Sequence, residues 1–238
     1  MKSQRIGALL LAAVVGGYVL RRLRRGWGAT DSETREMLPG DETVPQPVVQ
    51  TTHAVTIHAP TAAVWPWLIQ MGYGRAGWYT NVWWYRLIDR YLWHVDMPRA
   101  ERILPEFQHL ALGDAIPDGP PGTASWTVVG LEPERALALY STTHGTVWLP
   151  RALRDNPRLG IHAEVGWTFV LRESAPEETR LILRTRVSGG PALYNRVAAA
   201  LLPPSDYVMA RLLLRTVKRN VERMSATQAQ APAAARPA

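Results

Sequence analysis

The spacing of apolar positions changes from a period of two to a period of about 3.6 within residues 55–69. Val55 and Ile57 alternate with polar or small neighbours, which predicts a half-buried strand. Pro60 and Thr61 then supply a turn and a helix start. The predicted apolar face of this helix is formed by Val64, Trp65, Leu68 and Ile69. The pattern therefore predicts a strand followed directly by a short helix.

Three glycines after this helix have the G-x-G-x-x-G spacing of a dinucleotide-binding fingerprint. They are Gly72, Gly74 and Gly77. The fingerprint normally follows a strand and opens a helix, whose N-terminus binds the pyrophosphate. Here the glycines follow a predicted helix, so the context argues against a nicotinamide or flavin cofactor, and no cofactor is predicted. The motif instead predicts a loop that ends at Trp78 and Tyr79.

The remaining pattern predicts an antiparallel meander and a long final helix. Strands are predicted over residues 126–131, 136–141, 164–172 and 179–187, and a second short helix over residues 83–93. Ser205 follows Pro203 and Pro204 and is a suitable N-cap for a helix that continues to Met224. The order of elements predicts an α+β fold.

Several motifs in this order resemble those of the SRPBCC superfamily of START and polyketide-cyclase-like helix-grip proteins. Their residues are most similar to those of a bacterial, membrane-anchored branch. The resemblance is carried by residues 55–79, GAT at 28–30, LPGD at 38–41, RILPEFQ at 102–108, LGD at 112–114 and TRLILRTR at 179–186. It implies a curved antiparallel sheet wrapped around a long C-terminal helix, commonly with a ligand cavity between them. The superfamily includes lipid carriers, cyclases, hydrolases and ligand sensors, so the resemblance implies the fold more than the activity.

The net charge of +7 is distributed unevenly. Residues 1–25 contain six bases and no acid, and residues 205–238 contain six bases and two acids, whereas the body between them has 15 bases and 18 acids. An acidic body is unsuited to following a phosphate backbone, so no nucleic-acid partner is predicted. The basic ends suit an anionic membrane surface. The absence of cysteine excludes disulfides, thiol nucleophiles and thiolate metal sites.

An uncharged apolar run over residues 6–20 is flanked by Lys2 and Arg5 and by the sequence RRLRR at 21–25. As a helix it would span about 22 Å, less than the hydrocarbon core of about 30 Å, unless the flanking arginines snorkel. We interpret it as a retained membrane anchor, with a cleaved signal peptide and an interfacial helix as alternatives. The excess of positive charge after the run predicts a single-pass protein of the cell membrane with its globular domain in the cytoplasm.

These patterns divide the chain into four parts. Residues 1–25 form the predicted anchor, and residues 26–52 form a tether or, as the resemblance favours, a strap packed on the domain. Residues 53–224 form the helix-grip domain. Residues 225–238, rich in Ala, Gln and Pro, form a tail predicted to be disordered.

The aromatic residues are the strongest indication of a site. Six tryptophans fall within thirty positions: Trp65, Trp67, Trp78, Trp83, Trp84 and Trp93. They either pack a core or line a cavity for an apolar ligand, with indole N–H groups orienting it. The histidines show no zinc-motif spacing, and His53 and His58 point to opposite faces of one strand, so no metal site is predicted.

The charged candidates also have two interpretations. Arg184 and Arg186 share one strand face, which is either a solvated outer face or an inner face that holds an anionic head group. Glu106 or Asp114 in an apolar cavity would have a raised pKa and could serve as a general acid or base, although both positions also suit turn capping. The predicted ligand-binding residues are Arg75, Trp78, Tyr79, Glu106, Gln108, Tyr140, Trp167, Arg184 and Arg186, and no catalytic residue is assigned.

The function predicted from these features is membrane-tethered binding or transport of a hydrophobic small molecule or lipid. A cyclase, dehydratase or hydrolase that uses the same cavity is the first alternative. A structural or interaction domain whose core is filled with tryptophan is the second.

Overall fold

A computed structural model describes residues 26–79, 100–147 and 149–230 of the chain. The strands are β1 (Val49–Ile57), β2 (Ala115–Pro117), β3 (Ser125–Glu132), β4 (Ala136–Ser141), β5 (His162–Ala175) and β6 (Glu178–Gly190). The helices are α1 (Asp31–Arg35), α2 (Thr61–Ile69), α3 (Arg151–Arg154) and α4 (Ala192–Gln230). The predicted anchor at 6–20 and the predicted helix at 83–93 lie outside the described residues.

All six strands belong to one antiparallel sheet with the order β1-β6-β5-β4-β3-β2. The long helix α4 packs on one face of this sheet, mainly against β1 and β6. Its fully buried side chains, with no exposed surface, are Ala210, Leu213, Leu214, Val217 and Val221. The α+β class and the helix-grip arrangement of sheet and C-terminal helix are therefore confirmed.

Helix α4 is longer than predicted at both ends. It begins at Ala192 and passes through Pro203 and Pro204, so Ser205 is not its N-cap. The Ser205 hydroxyl instead donates to carbonyl oxygens one turn earlier. The first part of the helix is held by Tyr194, which is buried and donates from its hydroxyl to a backbone carbonyl. Tertiary packing thus overrides the proline signal, and residues 225–230, assigned above to a disordered tail, are helical.

Residues 26–48, here called the strap, cover the sheet face opposite α4. The strap starts along the free edge of β1, where the Ala54 N–H donates to the Trp27 carbonyl at 2.9 Å. It then places Leu38 in a small apolar cluster with residues of β1, β5 and β6. Gly40 has a φ of 88°, and a Cβ there would lie 2.6 Å from the Thr168 hydroxyl. Because β1 begins at Val49, the predicted boundary at residue 52 falls inside the strand.

Candidate functional site

The sheet face beneath α4 carries a cluster of aromatic side chains. The Trp167 ring on β5 stacks with Trp126 at a centroid distance of 5.3 Å and an angle of 19°. Trp78 lies 5.7 Å from the same ring, and Phe169 lies 5.0 Å from it. All four side chains are buried. We call Trp78, Trp126, Trp167 and Phe169 the aromatic cluster.

The glycine loop after α2 delivers Trp78 and Tyr79 to this interior. Gly72 and Gly77 exchange two backbone hydrogen bonds, with N···O distances of 3.0 and 3.3 Å. Gly72 has a φ of 128°, and a Cβ at this position would lie 2.5 Å from Cγ2 of Ile116. The chain can therefore make this tight approach to β2 only with glycine.

A buried amide connects Tyr79 to the segment around Gln108. The Gln70 Nε2 group donates to the Tyr79 hydroxyl at 2.6 Å, and the Gln70 Oε1 atom accepts from Gln108 Nε2 at 3.2 Å and from the Leu104 N–H at 2.9 Å. Burial raises the pKa of the Tyr79 phenol well above its usual value, so it stays protonated. Sequence reasoning missed Gln70, although a lone amide at the end of the apolar run of α2 is a detectable signal.

Three indole N–H groups in this interior lack a hydrogen-bond acceptor. The Nε1 atoms of Trp67, Trp78 and Trp126 are buried and have no partner in the described part of the chain. Leaving a buried donor unpaired costs about 1–3 kcal/mol, and nearly all buried donors in proteins are paired. Each of these three donors is therefore a position at which an oxygen acceptor could bind.

The other predicted residues near α2 have structural contacts. The Arg75 guanidinium donates to the carbonyls of Ile69, Met71 and Phe107 and lies 4.9 Å from the Phe107 ring. Burial lowers the pKa of Arg75. Glu106 is exposed on a 3₁₀ turn, so this carboxylate does not lie in an apolar cavity.

The second candidate acid or base is equally exposed. The Asp114 carboxylate accepts from the Ala111 N–H at 2.8 Å, which is a turn cap. An exposed carboxylate that caps a turn lacks the apolar surroundings that a buried general acid or base has.

Three further predicted residues lie on the strap side of the sheet. The Arg184 guanidinium is 1% exposed and contacts the Asp41 carboxylate at 2.7 Å. Arg184 also donates to the carbonyls of Glu33 and Glu36, and Arg186 lies 3.1 Å from Asp41. This arginine face is neither solvated nor part of a cavity under α4, because the strap covers it.

Tyr140 shares this strap-side orientation. Its hydroxyl donates to Glu164 at 2.9 Å. Burial and the neighbouring Glu164 carboxylate raise the pKa of Tyr140. Of the predicted ligand-binding set, the structure therefore brings together Trp78, Tyr79 and Trp167, with Gln108 connected through Gln70.

A buried histidine beneath α4 was not predicted as a site. The Trp27 N–H donates to His53 Nδ1 at 2.9 Å, so the ring proton lies on Nε2, which donates to Asp206 at 2.8 Å. The Asp206 carboxylate also accepts from the hydroxyls of Thr51 and Thr185. This fully paired set joins the strap, β1, β6 and α4, and its saturated hydrogen bonding indicates a structural role.

A second histidine touches the aromatic cluster itself. The His144 ring stacks on Trp126 with a centroid distance of 3.8 Å. Its Nδ1 atom lies 2.8 Å from the Ser141 hydroxyl, and its Nε2 atom lies 3.4 Å from the Asp118 carboxylate without a hydrogen bond. The Ser141 oxygen accepts from two backbone N–H groups and is 4% exposed, so it caps a turn and is not presented as a nucleophile.

The described residues contain no group of three or more His, Asp or Glu side chains placed to hold a metal ion. No protein-family model and no curated protein matches the sequence. Solved structures similar to this chain include MLL2253 from Mesorhizobium loti, at 19% identity over 71% of this chain and 97% of that chain, with a TM-score of 0.37. CalU16 from Micromonospora echinospora is 17% identical over 77% of this chain and 91% of that chain, with a TM-score of 0.32.

Hypothetical protein jhp0584 from Helicobacter pylori is also similar, at 11% identity over 80% of this chain and 98% of that chain, with a TM-score of 0.46. At these identities and scores the likenesses carry no information about function. The fold assignment rests on the strand order and on the packing of α4.

Proposed function

We propose that this protein is a membrane-tethered domain that binds a hydrophobic small molecule or lipid carrying at least one oxygen acceptor. The observation that supports the proposal is the set of unpaired indole N–H groups of Trp67, Trp78 and Trp126 among buried apolar rings. Ligand pockets in proteins combine apolar walls with a few polar groups that orient the ligand, and buried aromatic rings with free N–H groups are side chains of these two kinds.

The donors define the ligand class more narrowly than the rings do. A pure hydrocarbon would contact the rings of the aromatic cluster but would leave all three N–H groups unpaired. A carbonyl, hydroxyl or ether oxygen would accept one of them, and each such bond contributes about 0.5–1.5 kcal/mol. We therefore expect quinones, isoprenoid alcohols or acyl esters to bind up to about tenfold more tightly per hydrogen bond than alkanes of equal size.

Tethering fits this ligand class. The apolar run at residues 6–20 would hold the domain at the membrane in which such molecules dissolve. A domain held there meets the ligand at a high effective concentration. The charge asymmetry around the run favours a cytoplasmic domain, and the acidic body of the chain gives no reason to propose a nucleic-acid partner.

The test uses the full chain in a mild detergent and a panel of lipids, quinones and isoprenoids. Native mass spectrometry should detect a co-purified apolar ligand, and panel members with an oxygen should raise the unfolding temperature. Trp126→Phe keeps an aromatic ring but removes one donor. It should therefore weaken the binding of oxygen-bearing probes several-fold and leave the binding of hydrocarbon probes unchanged. Trp65→Phe, at a buried tryptophan outside the aromatic cluster and outside the three unpaired donors, is the matched control.

The proposal fails if no ligand co-purifies and no member of the panel shifts unfolding. That result would favour a second candidate, a structural or interaction domain whose tryptophans only fill the core. The close stacking of Trp126 on Trp167, at 19°, is the observation in favour of this candidate.

A further inference from the structure

One face of α4 carries exposed and half-exposed side chains in the described part of the chain, and it changes from apolar to basic along its length. Leu201 and Val208 are 62% and 42% exposed. Arg211, Arg215 and Arg219 continue the same face, because the steps of seven, three, four and four residues return to one side of an α-helix. We call these five residues the α4 stripe. By length and composition alone, Ala192–Thr227 could span a membrane, but its opposite side is buried against the sheet.

A groove beside the basic half of the stripe is lined by Trp27, Val55, Arg215, Lys218, Arg219 and Glu222 and has a volume of about 480 Å³. The Trp27 ring centroid lies 5.6 Å from the Arg211 guanidinium carbon and 5.2 Å from that of Arg215. The Lys218 ammonium donates to the Thr56 carbonyl and lies 3.3 Å from the Glu222 carboxylate. Lys218 is thus neutralised locally.

The three arginines of the stripe are not neutralised in this way. In the described part of the chain, no carboxylate forms an ion pair with Arg211, Arg215 or Arg219, and the buried Nε atom of Arg211 has no hydrogen-bond partner. Arginines on the strap side of the sheet behave differently. Arg172, Arg180, Arg184 and Arg186 each pair with a carboxylate of the strap. Uncompensated positive charge is therefore concentrated on α4 next to exposed apolar side chains.

We propose that the α4 stripe and Trp27 form the surface by which the domain lies on an anionic bilayer. Leucine and valine side chains would enter the headgroup boundary, and the arginines would contact lipid phosphates. Tryptophan is enriched at this depth of the membrane. The inference rests on the proposed membrane tether, because Trp27 lies two residues after the basic sequence RRLRR at 21–25. A short connection would bring this face to the membrane, and not the part of the strap that covers the opposite side of the sheet.

The test exploits the absence of cysteine, which allows a single labelling site in the full chain. A fluorophore is attached to Val208→Cys or to Val129→Cys, a matched control on β3 that is 40% exposed. The full chain is reconstituted in vesicles of phosphatidylcholine alone or mixed with phosphatidylglycerol, each carrying a nitroxide quencher at the headgroup. We expect quenching of the Val208→Cys label in anionic vesicles, with less quenching in neutral vesicles or high salt, and none of the Val129→Cys label.

Charge variants test the basic half of the stripe. Each arginine near an anionic surface raises the ratio of docked to undocked protein about fivefold. The double variant Arg215→Gln with Arg219→Gln should therefore lower this ratio about 25-fold. Arg35→Gln with Arg135→Gln removes the same charge from exposed positions on the strap and in the β3–β4 turn, and should change nothing. Equal quenching of both labels would overturn the proposal, as would an unaffected Arg215/Arg219 double variant or displacement from vesicles by duplex DNA.

Flotation with neutral vesicles separates this inference from the tether. A chain that fails to float refutes the anchor at residues 6–20, whatever the labels show. A chain that floats normally but shows no selective quenching of the Val208→Cys label refutes the docking face alone. Ligand binding is measured by neither readout.

Discussion

The attachment of the strap through Arg184 gives the sharpest test of how this fold is held together. Arg184 lies in the middle of β6, and its guanidinium donates to the Asp41 carboxylate, to two strap carbonyls and to the hydroxyl of Thr52. Arg184→Met keeps a long side chain but removes all of these bonds. The change leaves Asp41, which is 2% exposed, without its main counter-charge.

The size of the effect follows from the burial of both partners. Removing one member of a buried ion pair costs about 3–5 kcal/mol, because the remaining charge stays desolvated. Arg186 stays 3.1 Å from Asp41 and compensates part of the loss. We therefore expect Arg184→Met to lower the free energy of unfolding by about 3 kcal/mol, near the bottom of that range.

A second arginine that pairs with the strap provides the matched control. Arg172 on β5 contacts Glu36 at 2.8 Å, but the side chains are 42% and 33% exposed. Exposed pairs contribute about 0–1 kcal/mol, so Arg172→Met should be nearly neutral. Urea unfolding of the full chain in mild detergent, followed by tryptophan fluorescence, measures both variants.

The reasoning is refuted if Arg184→Met destabilises no more than Arg172→Met. A triple variant adds a further check. Replacing Arg184 and Arg186 with Met and Asp41 with Leu should recover part of the loss, because no charge of this cluster then stays buried without a partner. Equal losses for the single and triple variants would show that the backbone contacts of Arg184, and not the charge pair, dominate.

Three further changes follow from the described contacts. Gly72→Ala should destabilise the protein by about 1–3 kcal/mol through its positive φ and a Cβ contact of 2.5 Å, whereas Gly74→Ala, with open space around it, should cost less in the same urea assay. The hydrogen bond from the Arg180 guanidinium on β6 lowers the pKa of Glu33 to about 2 from its usual 4.5. The ionised Glu33 carboxylate therefore stabilises the fold fully above about pH 4.5, and this contribution is lost as the pH falls towards 2. Glu33→Gln should flatten the acid limb of a curve of unfolding free energy against pH. His53→Gln should cost about 1–3 kcal/mol and speed hydrogen exchange in the strap, while the exposed His58→Gln should do neither; equal effects would contradict the structural role of His53.

The fold could be predicted largely because local and global signals agree. The change of period at Pro60 marks the boundary between β1 and α2, and the helix begins at Thr61. The glycine motif was correctly interpreted as a loop, since its neighbours are a helix and an aromatic pair. Inward placement of Trp78 followed from this loop. These features are encoded within a few residues of one another.

The features that could not be predicted depend on contacts between residues that are distant in sequence. Strand parity placed Arg184 and Arg186 on one face, but parity does not show that residues 26–48 fold back over that face. The start of α4 was missed because packing of Tyr194 outweighs the local effect of Pro203. Gln70 was missed because its hydrogen bonds join three segments that are apart in the chain.

The central claim concerns the unpaired indole N–H groups, which nuclear magnetic resonance observes directly. The full chain, labelled with ¹⁵N in tryptophan and held in detergent, is titrated with an oxygen-bearing isoprenoid and with a hydrocarbon of equal length. We predict that Nε1–H resonances of Trp67, Trp78 or Trp126, assigned by single Trp→Phe variants, shift downfield with the first ligand only. Unchanged resonances at saturating isoprenoid, or equal shifts with both compounds, would contradict the account.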